Sequence, residues 1–144
     1  MSVNSKANTK IKIDLYIKLF IYINNLMFNI ILATDINGGI GLNNDIPWNF
    51  SKDMEFFRNI TKSNNIFDKA IVIMGRKTWD SLPVKPLPNR INVVITRNED
   101  ASFLKSFKKY DNTFVCKNIE GILNIFSSVK GVKHNIFVIL YLYK

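Results

Sequence analysis

The chain has 144 residues, of which 47% are hydrophobic and 12% aromatic, which excludes a disordered chain and is enough for one domain with a substantial core. Its single cysteine, Cys116, excludes an internal disulfide and a thiolate metal cluster and suits a reducing, cytoplasmic location. The net charge of +9 does not predict a nucleic-acid partner, because residues 19–100 hold nine Lys or Arg against eight Asp or Glu.

Residues 1–26 differ from the rest of the chain and are expected to form an N-terminal extension outside the domain, with Met27 as the functional start. Their apolar part is interrupted by Asp14, Lys18 and several asparagines, so it matches neither a transmembrane helix nor a signal peptide well. We therefore expect no membrane anchor. A membrane-attached form that uses this segment is kept as an alternative.

From Met27 onward, short apolar runs alternate with helical patterns. Buried strands are predicted at 28–34, 70–75, 91–96, 113–116 and 135–143, and helices at 51–62, 78–82 and 119–129. Such alternation predicts an α/β fold with a mostly parallel sheet flanked by helices. We expect one domain over residues 27–144.

The stretch DIPWNFSKDMEFF, residues 45–57, places an acid among aromatic residues. If Ser51 begins a helix, Asp53 and Phe57 lie one turn apart on the same face. An unpaired buried charge is costly, so Asp53 either faces water or is required by a site.

Three polar motifs fall at the ends of predicted strands, where open α/β sheets bind their ligands. GRKT, residues 75–78, either binds a phosphate at a helix start or is only a tight turn with exposed cations. Thr96 and Arg97 follow the third of the five predicted strands in the same way. In PLPNR, residues 86–90, two prolines either aim Arg90 at a carboxylate or simply connect two elements.

Other reactive or charged residues predict no chemistry of their own. Cys116 is interpreted as a small core residue and His134 as a loop residue, so no metal site is expected. The basic cluster KSFKK, residues 105–109, is interpreted as a solvated helix face.

Together, GIGLNNDIPWNFSKDMEFF, MGRKTWDSLP and PLPNRINVVIT closely resemble dihydrofolate reductase over about residues 27–139. The resemblance extends to the reductase domain of bifunctional dihydrofolate reductase–thymidylate synthase, although no fusion to or association with thymidylate synthase is visible here. It implies reduction of dihydrofolate, a small-molecule substrate, to tetrahydrofolate by hydride transfer from NADPH. Asp53 would then be the active-site acid that hydrogen-bonds the pterin ring and assists its protonation.

The resemblance also implies roles for other residues. Arg90 would hold the substrate's glutamate carboxylate, and Thr96 and Arg97 would contact the 2′-phosphate that distinguishes NADPH from NADH. Further substrate contacts would come from Ile31, Ala33, Met54, Phe57, Leu82 and Leu87. Further cofactor contacts would come from Ala33, Ile40, Gly41, Ile46, Trp48, Gly75, Arg76, Lys77 and Thr78, where residues 39–48 match a mobile loop over the active site.

The end of the chain departs from the family pattern. Leu140 and Tyr141 stand where the family has paired glycines beside the cofactor pyrophosphate, and the helix and strands that follow in the family have no counterpart. We therefore expect a domain that is incomplete at its C-terminus and that folds poorly on its own. A working reductase and a truncated, non-catalytic remnant both stay open at this point.

Overall fold

The computed structural model describes residues 19–23, 26–31, 39, 51–62, 69–128 and 136–139. Within these ranges the chain forms six strands, four α-helices and one short 3-10 turn at Phe107–Lys109. In chain order these are β1 Leu19–Ile23, β2 Leu26–Ile31, α1 Ser51–Thr61, β3 Ala70–Gly75, α2 Arg76–Ser81, β4 Arg90–Ile95, α3 Ala101–Ser106, β5 Thr113–Cys116, α4 Ile119–Ser128 and β6 Ile136–Ile139.

The strands form one sheet in the order β1-β2-β6-β3-β4-β5. Every neighbouring pair is parallel except β1 and β2, which are antiparallel. The interior strands β6, β3 and β4 are apolar and largely buried, as expected of parallel strands that are covered on both faces. This arrangement confirms the predicted α/β class with a mostly parallel sheet.

Helices cover both faces of this sheet. On one face, which we call the cavity face, α1, α2 and α3 pack through Phe57, Trp79 and Phe103 onto Val72 and Val94. On the other, the α4 face, the amphipathic helix α4 packs through three side chains, namely Ile122, Ile125 and Phe126. Successive residues of each strand therefore alternate between two separate cores.

The structure differs from the predicted elements in three places. Leu19–Ile23, within the segment expected to lie outside the domain, pairs with β2 as β1. Helix α3 was not predicted as an element of its own, and it begins where the side chain of Asp100 accepts hydrogen bonds from the backbone of Ser102 and Phe103. Helix α2 begins at Arg76, two residues before the predicted start.

No helix among the described residues is both long enough and apolar enough to cross a membrane. The basic cluster at 105–109 surrounds a buried side chain: Phe107 packs in the core while Lys105, Lys108 and Lys109 are exposed.

Candidate active site

A cavity of about 200 Å³ opens on the cavity face, between α1 and the segment that joins α2 to β4. Val84 is 65% exposed and lies at its mouth. The cavity is lined by Phe57, Arg58, Leu82, Pro83, Val84, Leu87, Pro88 and Arg90. Four predicted substrate contacts, namely Phe57, Leu82, Leu87 and Arg90, are therefore brought together by elements distant in sequence.

Arg90 supplies a buried cation on the cavity wall. It is the first residue of β4 and is only 5% exposed. Its Nε donates to the carbonyl of Pro88 at 3.0 Å, and its Nη1 donates to the hydroxyl of Thr61 at 2.8 Å. The guanidinium carbon also lies 5.9 Å from the centre of the Phe57 ring. These contacts fix the guanidinium in one orientation beside the cavity.

Helix α1 carries the partners of Arg90. Phe57 is 2% exposed and Thr61 is wholly buried, one turn further on. The Thr61 hydroxyl accepts from Arg90 and donates to the carbonyl of Phe57 at 2.8 Å. Asp53 precedes Phe57 by four residues in the same helix, which corresponds to about 6 Å along the helix axis.

Two predicted site residues stand at the start of α1, and others lie outside the described residues. The side chains of Asp53 and Met54 lie outside the described part of the chain, although their backbone is helical. Ile31 ends β2, is 5% exposed and packs in the same cluster as Phe57. Five predicted contacts and the two residues that depart from the family pattern lie outside the described ranges: Ala33, Ile40, Gly41, Ile46, Trp48, Leu140 and Tyr141.

Sequence reasoning missed Asn92, a buried residue that bonds to two residues of the cavity wall. Its carboxamide lies two residues beyond Arg90 on β4, is wholly buried, and bonds to the backbone of Leu87 and Arg90. The one signal in the sequence is a polar residue inside the otherwise apolar run INVVI. Because strand side chains alternate, that position shares a face with Arg90.

The GRKT motif lies at the carboxyl edge of the sheet. Gly75 ends β3, and Arg76 begins α2. Arg76 and Lys77 are exposed, and the Arg76 Nε lies 3.2 Å from the Asp80 carboxylate. Thr78 is buried. Among the described residues, space beside Gly75 is open, since a Cβ built there would meet none of their atoms within 4 Å.

Thr96 and Arg97 follow the neighbouring strand at the same edge. Gly75 is paired with Ile95 in the β3–β4 register, so GRKT and Thr96 leave adjacent strands side by side. The Thr96 N–H donates to the carbonyl of Cys116 at 3.0 Å, and its hydroxyl accepts from the N–H of Asn98 at 3.1 Å. Arg97 is exposed. Two cationic segments are thus presented at one sheet edge.

The predicted residues therefore form two groups at opposite ends of the site. Arg90 opens β4 and Thr96 follows its last residue, which separates them by about 20 Å at the rise of an extended strand. Of the three motifs expected at ligand-binding strand ends, two lie at the carboxyl edge, whereas Arg90 lies at the amino end. A ligand set that used both groups would be elongated across the cavity face.

The remaining chemistry-bearing groups do not join this site. Burial raises the pKa of the Cys116 thiol, which packs in the core of the α4 face. Within the described ranges, no three His, Cys, Asp or Glu side chains are grouped so as to hold a metal ion. His134 lies outside those ranges.

Comparison with known proteins relates most of the chain to one protein family. The sequence model of the family described as dihydrofolate reductase matches residues 27–139, more than half of the chain. Dihydrofolate reductase of Pneumocystis carinii is 38% identical over 120 residues, which cover 76% of this chain and 56% of that protein.

Two further relatives are named bifunctional dihydrofolate reductase-thymidylate synthase. The protein of Paramecium tetraurelia is 47% identical over 78 residues, 54% of this chain and 16% of its own length. The protein of Zea mays is 38% identical over 104 residues, 70% of this chain and 19% of its own length. The chain thus spans little more than half of the Pneumocystis protein and under a fifth of the two bifunctional proteins.

Proposed function

This chain belongs to the dihydrofolate reductase family, and we propose that it reduces 7,8-dihydrofolate to tetrahydrofolate with NADPH. The observation that carries the proposal is the buried Arg90 guanidinium on the wall of an apolar cavity, on the same sheet face as the helix that bears Asp53. A cation, an acid and an apolar wall are what an elongated ligand with a polar ring and a carboxylate tail requires.

The cavity suits one part of such a substrate. Its volume of about 200 Å³ lies below the roughly 300 to 1,000 Å³ common for whole drug-sized ligands. Leu82 and Leu87 flank the benzoyl portion, Phe57 packs against the ligand, and Arg90 holds the glutamate carboxylate through charge-assisted hydrogen bonds. The pterin lies toward the start of α1 and contacts Ile31, Ala33 and Met54.

Asp53 is the acid of the proposed reaction. Its carboxylate accepts hydrogen bonds from the 2-amino group and N3 of the pterin and assists the protonation of N5. General acid–base assistance of this kind contributes roughly 100- to 10,000-fold to a rate. Its position one helical turn before Phe57, which lines the cavity, supports this role.

The carboxyl edge of the sheet fits NADPH. Open space beside Gly75 allows a phosphate to approach the backbone, and Arg76 and Lys77 supply positive charge nearby. Thr96 and Arg97 contact the 2′-phosphate, which favours NADPH over NADH. The remaining proposed cofactor contacts are Ala33, Ile40, Gly41, Ile46, Trp48 and Thr78. When bound, NADPH supplies the hydride that the reduction consumes.

The test is NADPH oxidation by the purified protein, measured with and without dihydrofolate. We expect dihydrofolate-dependent oxidation that Asp53→Asn lowers by at least about 100-fold at neutral pH, because the general acid is lost. Glu55→Gln is the matched control, since Glu55 is an exposed acid in the same helix. No turnover by the wild-type protein, or near wild-type turnover by Asp53→Asn, would contradict the proposal.

A further inference from the structure

Asn92 occupies an unusual position for an amide. It lies inside β4, paired with Val72 of β3 on one side and Thr113 of β5 on the other. Its side chain is wholly buried on the cavity face, between the sheet and the segment that carries Leu87 and Arg90. A buried amide is costly unless its donors and acceptor are all used, so this one calls for a physical reason.

Three hydrogen bonds supply that reason. The Asn92 Oδ1 accepts from the N–H of Leu87 at 2.9 Å, while Nδ2 donates to the carbonyl of Leu87 at 3.1 Å. The same Nδ2 donates to the carbonyl of Arg90 at 3.2 Å. Acceptor and donors therefore all bond to the backbone of Leu87 and Arg90, two of the residues that line the cavity.

The anchor itself is rigid. The backbone N–H of Asn92 donates to the carbonyl of Asn112 at 2.8 Å, so the residue is tied to the sheet independently of its side chain. The segment that it holds makes a sharp turn, because Asn89, just before Arg90, has a φ of 58°. A non-glycine residue in the left-handed region is held there by the surrounding structure, and the Asn92 carboxamide braces the backbone on both sides of this turn.

We propose that Asn92 is a positioning residue: its carboxamide fixes the backbone of Leu87 and Arg90 so that the guanidinium is preorganised for the substrate carboxylate. This inference rests on the proposed function of Arg90. Preorganisation raises affinity by removing the cost of ordering a group at the moment of binding. An aspartate at this position would lose both donors, and a leucine would lose every hydrogen bond with little change in volume.

The test compares two ligands that differ by the glutamate whose carboxylate Arg90 would hold; without it, pteroate ends at its benzoate carboxylate. Folate carries the glutamate, whereas pteroate lacks it. Dissociation constants for both are measured by calorimetry on the wild-type protein, Asn92→Leu and the less disruptive Asn92→Ser. We expect the wild-type protein to prefer folate by about 10- to 100-fold, the range for charge-assisted hydrogen bonds. Both variants should reduce that preference to within about 3-fold.

The ratio of the two constants separates positioning from stability. If a variant is partly unfolded, the apparent affinities for folate and pteroate fall by the same factor, because the folded fraction scales both. The matched control is Asn29→Leu. Asn29 is a buried amide of β2 whose Nδ2 donates to the carbonyl of Ile136 at 3.0 Å, and it does not line the cavity.

Each outcome decides the inference. Loss of the folate preference in the Asn92 variants, with the preference kept in Asn29→Leu, supports it. An unchanged preference in the Asn92 variants overturns it, as does an equal loss in Asn29→Leu. A wild-type protein with no preference for folate overturns the carboxylate assignment of Arg90, and the inference with it.

Discussion

The two faces of the central sheet are filled in different ways. Beneath α4, the buried core residues that the structure describes are all apolar apart from the thiol of Cys116. The cavity face instead carries buried polar side chains, either on strands by alternation or on the helices packed there: Asn29, Thr61, Thr78, Arg90 and Asn92. Buried polar groups cost stability unless they are bonded, so their concentration on one face marks the face that carries function.

The difference predicts two kinds of sensitivity. An apolar core depends on volume, so changes there should alter the free energy of unfolding and leave ligand binding intact. A hydrogen-bonded face depends on matched donors and acceptors, so removal of a single donor or acceptor atom should lower the free energy of unfolding. Single-atom changes on the two faces therefore test the contrast directly.

The largest effect is expected at Thr61. Replacing Thr61 with Val removes the hydroxyl that accepts from the Arg90 Nη1 and leaves the shape nearly unchanged. Because the lost bond is buried and its donor is charged, we expect the free energy of unfolding to fall by about 2 kcal/mol. Urea denaturation of both proteins measures this difference.

Thr113→Val is the matched control for that substitution. The Thr113 hydroxyl donates to the carbonyl of Asp111 at 3.3 Å near the surface of β5, so its loss should cost no more than about 0.5 kcal/mol. Equal losses in the free energy of unfolding for Thr61→Val and Thr113→Val would mean that burial does not increase the contribution of the Thr61 hydroxyl.

A smaller effect is expected on the α4 face, at Gly121. A Cβ at this position would come within 2.7 Å of the Cys116 Cβ, so Gly121→Ala forces α4 away from β5. Overpacking costs roughly 1 to 3 kcal/mol, and the gain in helix propensity offsets up to about 1 kcal/mol of it. We expect a net loss of about 1 kcal/mol in urea denaturation, with the KM for dihydrofolate unchanged.

Gly75→Ala supplies the opposite case. A Cβ there meets no atom within 4 Å, and the φ of −74° suits any residue, so the free energy of unfolding should change by less than about 0.5 kcal/mol. Its effect should appear instead in the KM for NADPH, because Gly75 lies at the proposed phosphate contact. A stability loss as large as that of Gly121→Ala would contradict the packing difference between the two glycines.

Much of this fold follows from local sequence pattern. The strands β3 and β4 consist mostly of β-branched and aliphatic residues and are bounded by Gly75 and Thr96, which is why they were predicted within a residue or two. Strand β1 was missed because its pairing depends on the free edge of β2, which no local pattern reveals. Helix α3 was missed because six residues carry too little periodicity, although Asp100 marks its start.

The candidate site was predictable only in part. The sequence motifs predicted four substrate contacts that the structure brings to one cavity, namely Phe57, Leu82, Leu87 and Arg90. The hydrogen bonds around Arg90 could not be predicted in full. Thr61 lies in α1 and meets the guanidinium only after folding, and Asn92, although in the same strand, bonds to the Arg90 carbonyl and to the backbone of Leu87. A buried polar residue in an apolar strand is the signal that a sequence offers for such a partner.

The smallest effect is expected at the surface, where Asp100 begins α3. The Ser102 hydroxyl, followed by the N–H groups of Phe103 and Ser102, lowers the pKa of the Asp100 carboxyl below its ordinary value of 3.8. A lowered folded-state pKa means that the stabilisation is fully present above 3.8 and is lost as pH falls through the lower value. The midpoint temperature of the wild-type protein should therefore fall on acidification, because this stabilisation is lost.

Asp100→Asn isolates that contribution, because asparagine keeps an acceptor for the helix N–H groups but does not titrate in this range. The wild-type protein should melt slightly above Asp100→Asn at neutral pH, and the gap should close below pH 3.8. Asp111→Asn is the control, since Asp111 is exposed and caps no described helix. A gap that stays constant across this range would show that the charge of Asp100 is not what stabilises α3. If Thr61→Val lowered the midpoint temperature by no more than Asp100→Asn at neutral pH, the contrast between exposed and buried polar groups would be removed. A solvated carboxylate should contribute less to stability than a buried hydroxyl that water cannot replace.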